Sequence, residues 1–272
     1  KSSLNNGWAS PTKMKIWNWF FSVCNHKHST FEALCNIKRG NLGNSGASKL
    51  CAISTNSDFY NRARQLPHRP AINNANTLEL AMTAVNAPCI SLLPDQKLAF
   101  SDQPEEIKEL ITEFVTQERK SRPGSSQNKK TKSTDDVLNA IIGSNTSFPA
   151  NSIIIPRAIR VEARIGELLE EYNLSTNFVG ATCFDQTKTL RLKAFLFSVF
   201  GQIQMELLGI NQEGMRKIEV EQVRRIIVPN SIFDSSVVKD KEIADMLIST
   251  SPLNFSNFGI RELDKLFCKL IG

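Results

Sequence analysis

The sequence predicts an α+β fold, a mixed or antiparallel sheet with flanking helices and a C-terminal helical segment. Three observations carry this. Short apolar runs of strand type are interspersed with amphipathic helical runs along the 272 residues, without the regular alternation of a doubly wound sheet. Gly-rich and Ser/Lys-rich stretches separate the runs. The last segment carries only short helical patterns. The expected organisation is a helical lead-in over 1–30, a main domain over 31–230, and C-terminal helices packing on it over 231–272. Hydrophobic content of 41% and charged content of 22% are ordinary for a folded protein, and the length allows a real core.

Taken in order, "PTKMKIWNWFFSV" (Pro11–Val23) predicts a helix with an aromatic face, opened by a proline in its first turn. Cys24, His26 and His28 follow at alternate positions. With no second ligand cluster they read as a polar loop, and no metal is expected. "FEALCNIKRGNLGNSGASKLCAIS" (Phe31–Ser54) predicts strand, glycine-rich turn, strand, with a wide hairpin turn as the simplest reading. Its glycines lack both the Gly-Lys-Ser/Thr ending of a phosphate loop and a dinucleotide fingerprint. "APCISLLP" predicts a buried strand. The clearest helix spans Gln103–Lys120, with acids in its first turn, bases in its last, and Ile107, Leu110, Ile111 and Phe114 on one face.

"RKSRPGSSQNKKTKSTDD" reads as a basic loop or linker containing Lys129 and Lys130. "NSIIIPRAIRVEARIGELL" predicts a strand that ends in Pro156 and leads to Arg157, Arg160 and Arg164. Another strand region follows at Tyr172–Phe184. Lys188–Gly209 predicts one long helix with Leu192, Leu196, Val199, Ile203 and Leu207 in a stripe and Gly209 near its C-cap. In "EGMRKIEVEQVRRIIVP", Gly214 allows a tight turn, and Arg216 and Lys217 read either as solvated side chains of a connection or as cations carried toward a polyanion. Ile218, Val220, Val223 and Ile226 anchor the segment in the core. "VVKDKEIADML" and "IRELDKLFCKLIG" predict the closing helices.

The net charge of +6 and pI near 9.0 suit a nucleic-acid partner without requiring one. The six cysteines are scattered without CxxC spacing and read as reduced, mostly buried thiols of a cytoplasmic protein. No run of about 18 apolar residues is present, so no membrane span is expected. The first residues lack the apolar region of a signal peptide, and a chain starting at Lys1 looks like a fragment or a processed product. No catalytic residues are expected. His26, His28 and His68 have no convincing nucleophile partner, and the acids lack the Asp…Glu-x-Lys pattern of a nuclease.

The order of the segments resembles the C-terminal target-recognition region of adenine-N6 DNA methyltransferases from restriction–modification systems. "ALCNIKRGNLGNSGASKLCAI" is similar to the family's entry segment, "IIIPRAIR" to its central strand, and "STNFVGATC" with "LKAFLFSVFGQIQMELLG" to the strand and helix that follow. "EGMRKIEVEQVRRIIVP" is similar to its glycine-rich loop and Val-Pro exit, and "IRELDKLFCKLIG" to its closing helix with a Leu-Asp pair. The resemblance runs from roughly Trp17 onward. It departs where Gly40 is followed by Asn41, Leu42 and Gly43 in place of a Gly-x-x-Thr-Gly turn, and the stretch 56–85 does not align. The family's Phe-x-Gly-x-Gly and Asn/Asp/Ser-Pro-Pro-Tyr/Phe motifs are absent.

The resemblance implies a sequence-specific binder of double-stranded DNA that holds no cofactor itself. S-adenosylmethionine would belong to the catalytic methyltransferase domain of a presumed parent, an adenine-N6 methyltransferase or a methyltransferase–nuclease fusion, as a partner in cis or in trans. Phosphate contacts position a duplex and base contacts specify it. Lys129, Lys130, Gly214, Arg216 and Lys217 suit the first task; Arg39, Asn41, Asn44, Arg157 and Arg160 are candidates for the second, and Lys38 suits either. Two alternatives stand beside this reading. One is a protein–protein specificity or scaffold subunit, whose helices Leu190–Leu208 and Arg261–Leu270 would expose an apolar face. The other is a nuclease with an unfamiliar site.

Overall fold

The computed structural model describes residues 11–24, 27–42, 50–73, 89–120, 133–144, 146–159, 165–212, 215–249 and 261–272. The strands are β1 (His28–Thr30), β2 (Cys35–Arg39), β3 (Ile53–Ser54), β4 (His68–Ile72), β5 (Cys89–Leu92), β6 (Ser147–Phe148), β7 (Ile153–Pro156), β8 (Ala158–Ile159), β9 (Gly166–Glu167), β10 (Tyr172–Leu174), β11 (Phe178–Cys183), β12 (Ile210–Gln212), β13 (Met215–Lys217) and β14 (Ile227–Pro229). The helices are α1 (Pro11–Cys24), α2 (Phe31–Leu34), α3 (Tyr60–Ala63), α4 (Glu105–Lys120), α5 (Thr134–Gly143), α6 (Thr189–Phe197), α7 (Val199–Leu208), α8 (Val220–Arg224), α9 (Asp240–Ser249) and α10 (Glu262–Ile271). The fold is α+β, as the sequence predicts.

Two sheets share one stretch of backbone. β10 lies in a five-stranded sheet of order β3-β5-β4-β10-β6, and β11 lies in a four-stranded sheet of order β2-β11-β7-β9. Only Ser175, Thr176 and Asn177 separate them. The β4–β10 pairing is parallel, and the other pairings between the strands are antiparallel. A ribbon β12-β13-β8 and a pair β1-β14 are the other strand groups among the described residues. The five-stranded sheet carries α4 and α5 in one core cluster, with Ile107, Leu110, Ile111 and Phe114 buried as their spacing predicts. The four-stranded sheet packs with α6, α7, α9 and α10 in the other, which Phe20 of α1 joins. Phe148, Ile154, Tyr172 and Phe178 belong to a smaller cluster between them. Cys35, Cys51, Cys89 and Cys183 are buried.

The predicted hairpin over 31–54 does not form. β2 pairs with β11, whereas β3 pairs with β5 in the other sheet. The reason is Gly40. Its N–H donates to Phe178 O at 3.0 Å, and two residues later Leu42 N–H donates to Leu174 O at 3.0 Å. The chain therefore crosses from β11 to β10 and does not turn back. A Cβ at Gly40 would lie 2.2 Å from Ser175 O and 2.5 Å from Leu174 O, so only glycine fits this crossing.

The predicted single helix over 188–209 is two helices. α6 ends at Phe197, Ser198 is extended (φ −69°, ψ 165°), and α7 restarts at Val199. The break has a partner far along the chain. Asp264 of α10 is fully buried and accepts the Val199 N–H at 2.7 Å, while Ser198 Oγ donates to Phe195 O at 2.6 Å. A carboxylate at a helix N-terminus satisfies an otherwise unpaired donor and complements the helix dipole. Asp264 also accepts from its own N-cap, Arg261, whose N–H lies 2.8 Å from Oδ2 and whose guanidinium lies over the Phe197 ring.

Nearly every residue of α6 and α7 is buried, as are Leu263, Leu266, Phe267, Leu270 and Ile271 of α10. The apolar faces that a scaffold subunit would expose here are covered by the chain's own core. Two cations are also drawn inward. Arg191 donates to Asp240 at 2.6 Å, Ile232 O at 2.7 Å and Val238 O at 2.6 Å, and Lys193 pairs with Glu167.

Candidate nucleic-acid interface

Arg157 sits where three pieces of the fold meet. The residue before it, Pro156, pairs with Phe178 in the four-stranded sheet, and the residue after it, Ala158, pairs with Lys217 in the ribbon. The Arg157 N–H donates to Asn177 O at 2.8 Å, and its carbonyl accepts from Ile218 N–H at 2.7 Å. The backbone thus fixes Arg157 against both the 175–177 turn and the exit of β13. That turn is itself tied to the end of β4, because Ser175 Oγ and Asn177 Nδ2 both donate to Asn73 O, at 2.9 and 3.1 Å.

The Arg157 side chain repeats the pattern. Its Nε donates to Glu219 Oε2 at 2.9 Å, a second guanidinium nitrogen to Glu219 Oε1, and the third to Thr176 O. The Arg39 Nε donates to the same carbonyl at 3.3 Å. Lys217 Nζ lies 3.2 Å from Glu219 Oε1. Three residues singled out in the sequence, Arg39, Arg157 and Lys217, therefore converge on Thr176 O and one carboxylate. Among the described residues that meet here, three cations stand against one anion, a positive surplus.

Exposure separates their roles. The Arg157 side chain is 11% exposed, so its bidentate pair with Glu219 is a fixed strut. Lys217 is 37% exposed and Glu219 27%, so this second pair borders solvent. Arg39 is exposed at the end of β2. The Arg157 guanidinium, helped by Lys217 and opposed by burial, holds the Glu219 carboxyl below the usual glutamate range.

The other candidates lie elsewhere. Lys38 is exposed on β2 opposite Gly180. Arg216 lies on β13, and a Cβ at Gly209 would sit 2.6 Å from its Cγ and Cδ, so that glycine makes room for the arginine stem. Asn41 is occupied within the fold. Its Nδ2 donates to Gly143 O at 2.9 Å and Thr146 Oγ1 at 2.8 Å, and its Oδ1 accepts from Thr146 N at 3.4 Å. Asn44, Lys129, Lys130, Arg160 and Gly214 lie outside the described residues, as does His26. Sequence reasoning missed Glu219 and Thr176 as members of the cluster. The Lys-Ile-Glu alternation held a signal for Glu219, since residues two apart on extended backbone share a face.

Among the described residues, no group of three or more His, Cys, Asp and Glu side chains is placed to hold a metal ion. No described helix is long and apolar enough to cross a membrane.

The sequence matches the family described as restriction endonuclease BpuSI, specificity domain, over residues 38–258. The chain belongs to this BpuSI specificity-domain family. The crystal structure of the type IIG restriction endonuclease BpuSI is similar to it, with a TM-score of 0.74 and 22% identity over 95% of this chain. The type IIL restriction-modification enzyme MmeI, solved in complex with DNA, is similar at a TM-score of 0.50 and 14% identity over 89% of the chain. Both likenesses speak to the fold. The chain spans 30% of the BpuSI chain and 32% of the MmeI chain. No curated protein matches it.

Proposed function

We propose that this chain recognises a specific sequence in double-stranded DNA, as the target-recognition part of a restriction–modification enzyme whose catalytic part methylates adenine at N6. The observation that carries the reading is membership of a specificity-domain family over residues 38–258. The cationic junction of Arg39, Arg157 and Lys217 supports it, because a duplex needs a positive surface with rigidly held side chains. The catalytic part, with its S-adenosylmethionine, is a partner in the same polypeptide or a separate subunit, and the complex works in the cytoplasm.

The residues divide the work. Arg157 is a positioning residue that fixes the 175–177 turn against β13. Arg39, anchored through its Nε to Thr176 O, presents its remaining donors toward a base edge. Arg216 and Lys217 contact phosphates. The test is selection from a random duplex library by the full chain at two salt concentrations, with sequencing of the retained DNA. An enriched motif is expected. Absence of retention at either salt overturns the reading.

A further inference from the structure

Glu219 stands out at a surface otherwise built to attract an anion. It is the carboxylate at the centre of the junction, with Arg157 on both of its oxygens and Lys217 sharing Oε1. One side of it is permanent, since the mostly buried Arg157 engages both oxygens and is itself tied to Thr176 O. The other side is exchangeable. Lys217 Nζ reaches Oε1 at 3.2 Å, both side chains border solvent, and such exposed pairs hold weakly. A backbone phosphodiester carries the same single negative charge as this carboxylate and likewise accepts charge-assisted hydrogen bonds from an ammonium.

We infer that Glu219 is an internal competitor for phosphate, holding Lys217 in the free protein and lowering the chain's affinity for DNA of any sequence. This rests on the DNA-recognition reading and adds regulation to it. Arg157 anchors the carboxylate so that it stays beside Lys217 and does not swing away. Nonspecific binding comes almost wholly from cation–phosphate contacts, so damping one of them weakens attachment to random sequence. Glu219 also stands at the N-cap of α8, its N–H donating to Gln222 Oε1 at 3.0 Å, which fixes its backbone independently of its charge.

The test measures binding of the full chain and its variants to a labelled random-sequence duplex at physiological salt, with folding checked by thermal melting. Glu219→Gln removes the charge and keeps the shape. Glu219→Ser removes the charge at a position where serine caps well, and serves if the glutamine variant does not fold. The expected result is about two- to fivefold tighter binding, the size of one partly exposed ion pair. That gain should be lost when Lys217→Ala is added. Equal or weaker binding by a folded charge-removed variant overturns the inference and leaves DNA recognition standing. A gain that persists undiminished with Lys217→Ala also overturns it, since the effect would then be general charge. If the unaltered chain binds no duplex, the DNA-recognition reading itself fails, and the inference with it.

Discussion

The helical region around α6, α7 and α10 and the sheet junction around Arg157 both contain arginine–carboxylate pairs, yet they handle charge in opposite ways. In the helical region the cations of the Arg191 and Lys193 pairs are closed in, although Asp240, the partner of Arg191, is 58% exposed. Arg191 is 4% exposed, Lys193 1% and Asp264 not at all, and each is bonded to groups of the same chain. At the junction the pairing stops partway, with Arg157 enclosed while Lys217 and Arg39 reach the surface. A cation in the sequence is therefore no guide to an interface by itself. What distinguishes the two regions is how far each cation's own neighbours satisfy it.

The comparison is broken most sharply at Asp264. Asp264→Ala removes a helix cap and the charge-assisted bonds to Arg261, and is expected to lower stability by about 2–4 kcal/mol in urea unfolding. A near-neutral result would mean that the helical region does not depend on its buried charges. Gly40→Ala pushes a Cβ into the Ser175 and Leu174 carbonyls and is expected to cost about 1–3 kcal/mol by the same measurement. Arg39→Ala should leave stability nearly unchanged and relax selection at one base position, at about 1–3 kcal/mol of discrimination. Equal loss on selected and random duplexes would assign Arg39 to phosphate instead.

The smallest effect is a pH dependence. The Glu219 carboxyl titrates below its ordinary range, so the folded chain binds its proton less readily than the unfolded chain. The stability it contributes is present above the ordinary glutamate range and is lost as pH falls through the lowered value. Urea midpoints of the wild type and Glu219→Gln should therefore converge on acidification. A gap that stays constant with pH would count against the ion pair as its source.

Much of the fold was legible in the sequence because its signals are local. The stripe of α4 and the buried run of β5 were readable from spacing and are buried, as are the anchors Ile218, Val223 and Ile226, whereas the fourth expected anchor, Val220, is only half-buried. The two errors share one cause. The hairpin over 31–54 fails because Gly40 meets Ser175, and the long helix breaks because Val199 meets Asp264. Neither partner lies near in sequence, so no local pattern could reveal them. The candidate site was legible in part. Residue type pointed to Arg39, Arg157 and Lys217, and the structure brings these together. It could not show that Asn41 bonds within the fold, nor that Arg191 and Lys193 are core cations.

The backbone of 172–183, shared by both sheets, bears on how this domain could be re-engineered. Two units joined by a loose linker can be exchanged like cassettes. Here the seam is woven, with β10 and β11 three residues apart and 39–42 hydrogen-bonded alongside them. A transplant of the five-stranded sheet from a relative would have to carry both crossing strands with it. Cutting between the sheets would sever the turn that Arg39 and Arg157 grip, so a swap of halves would dismantle the junction itself.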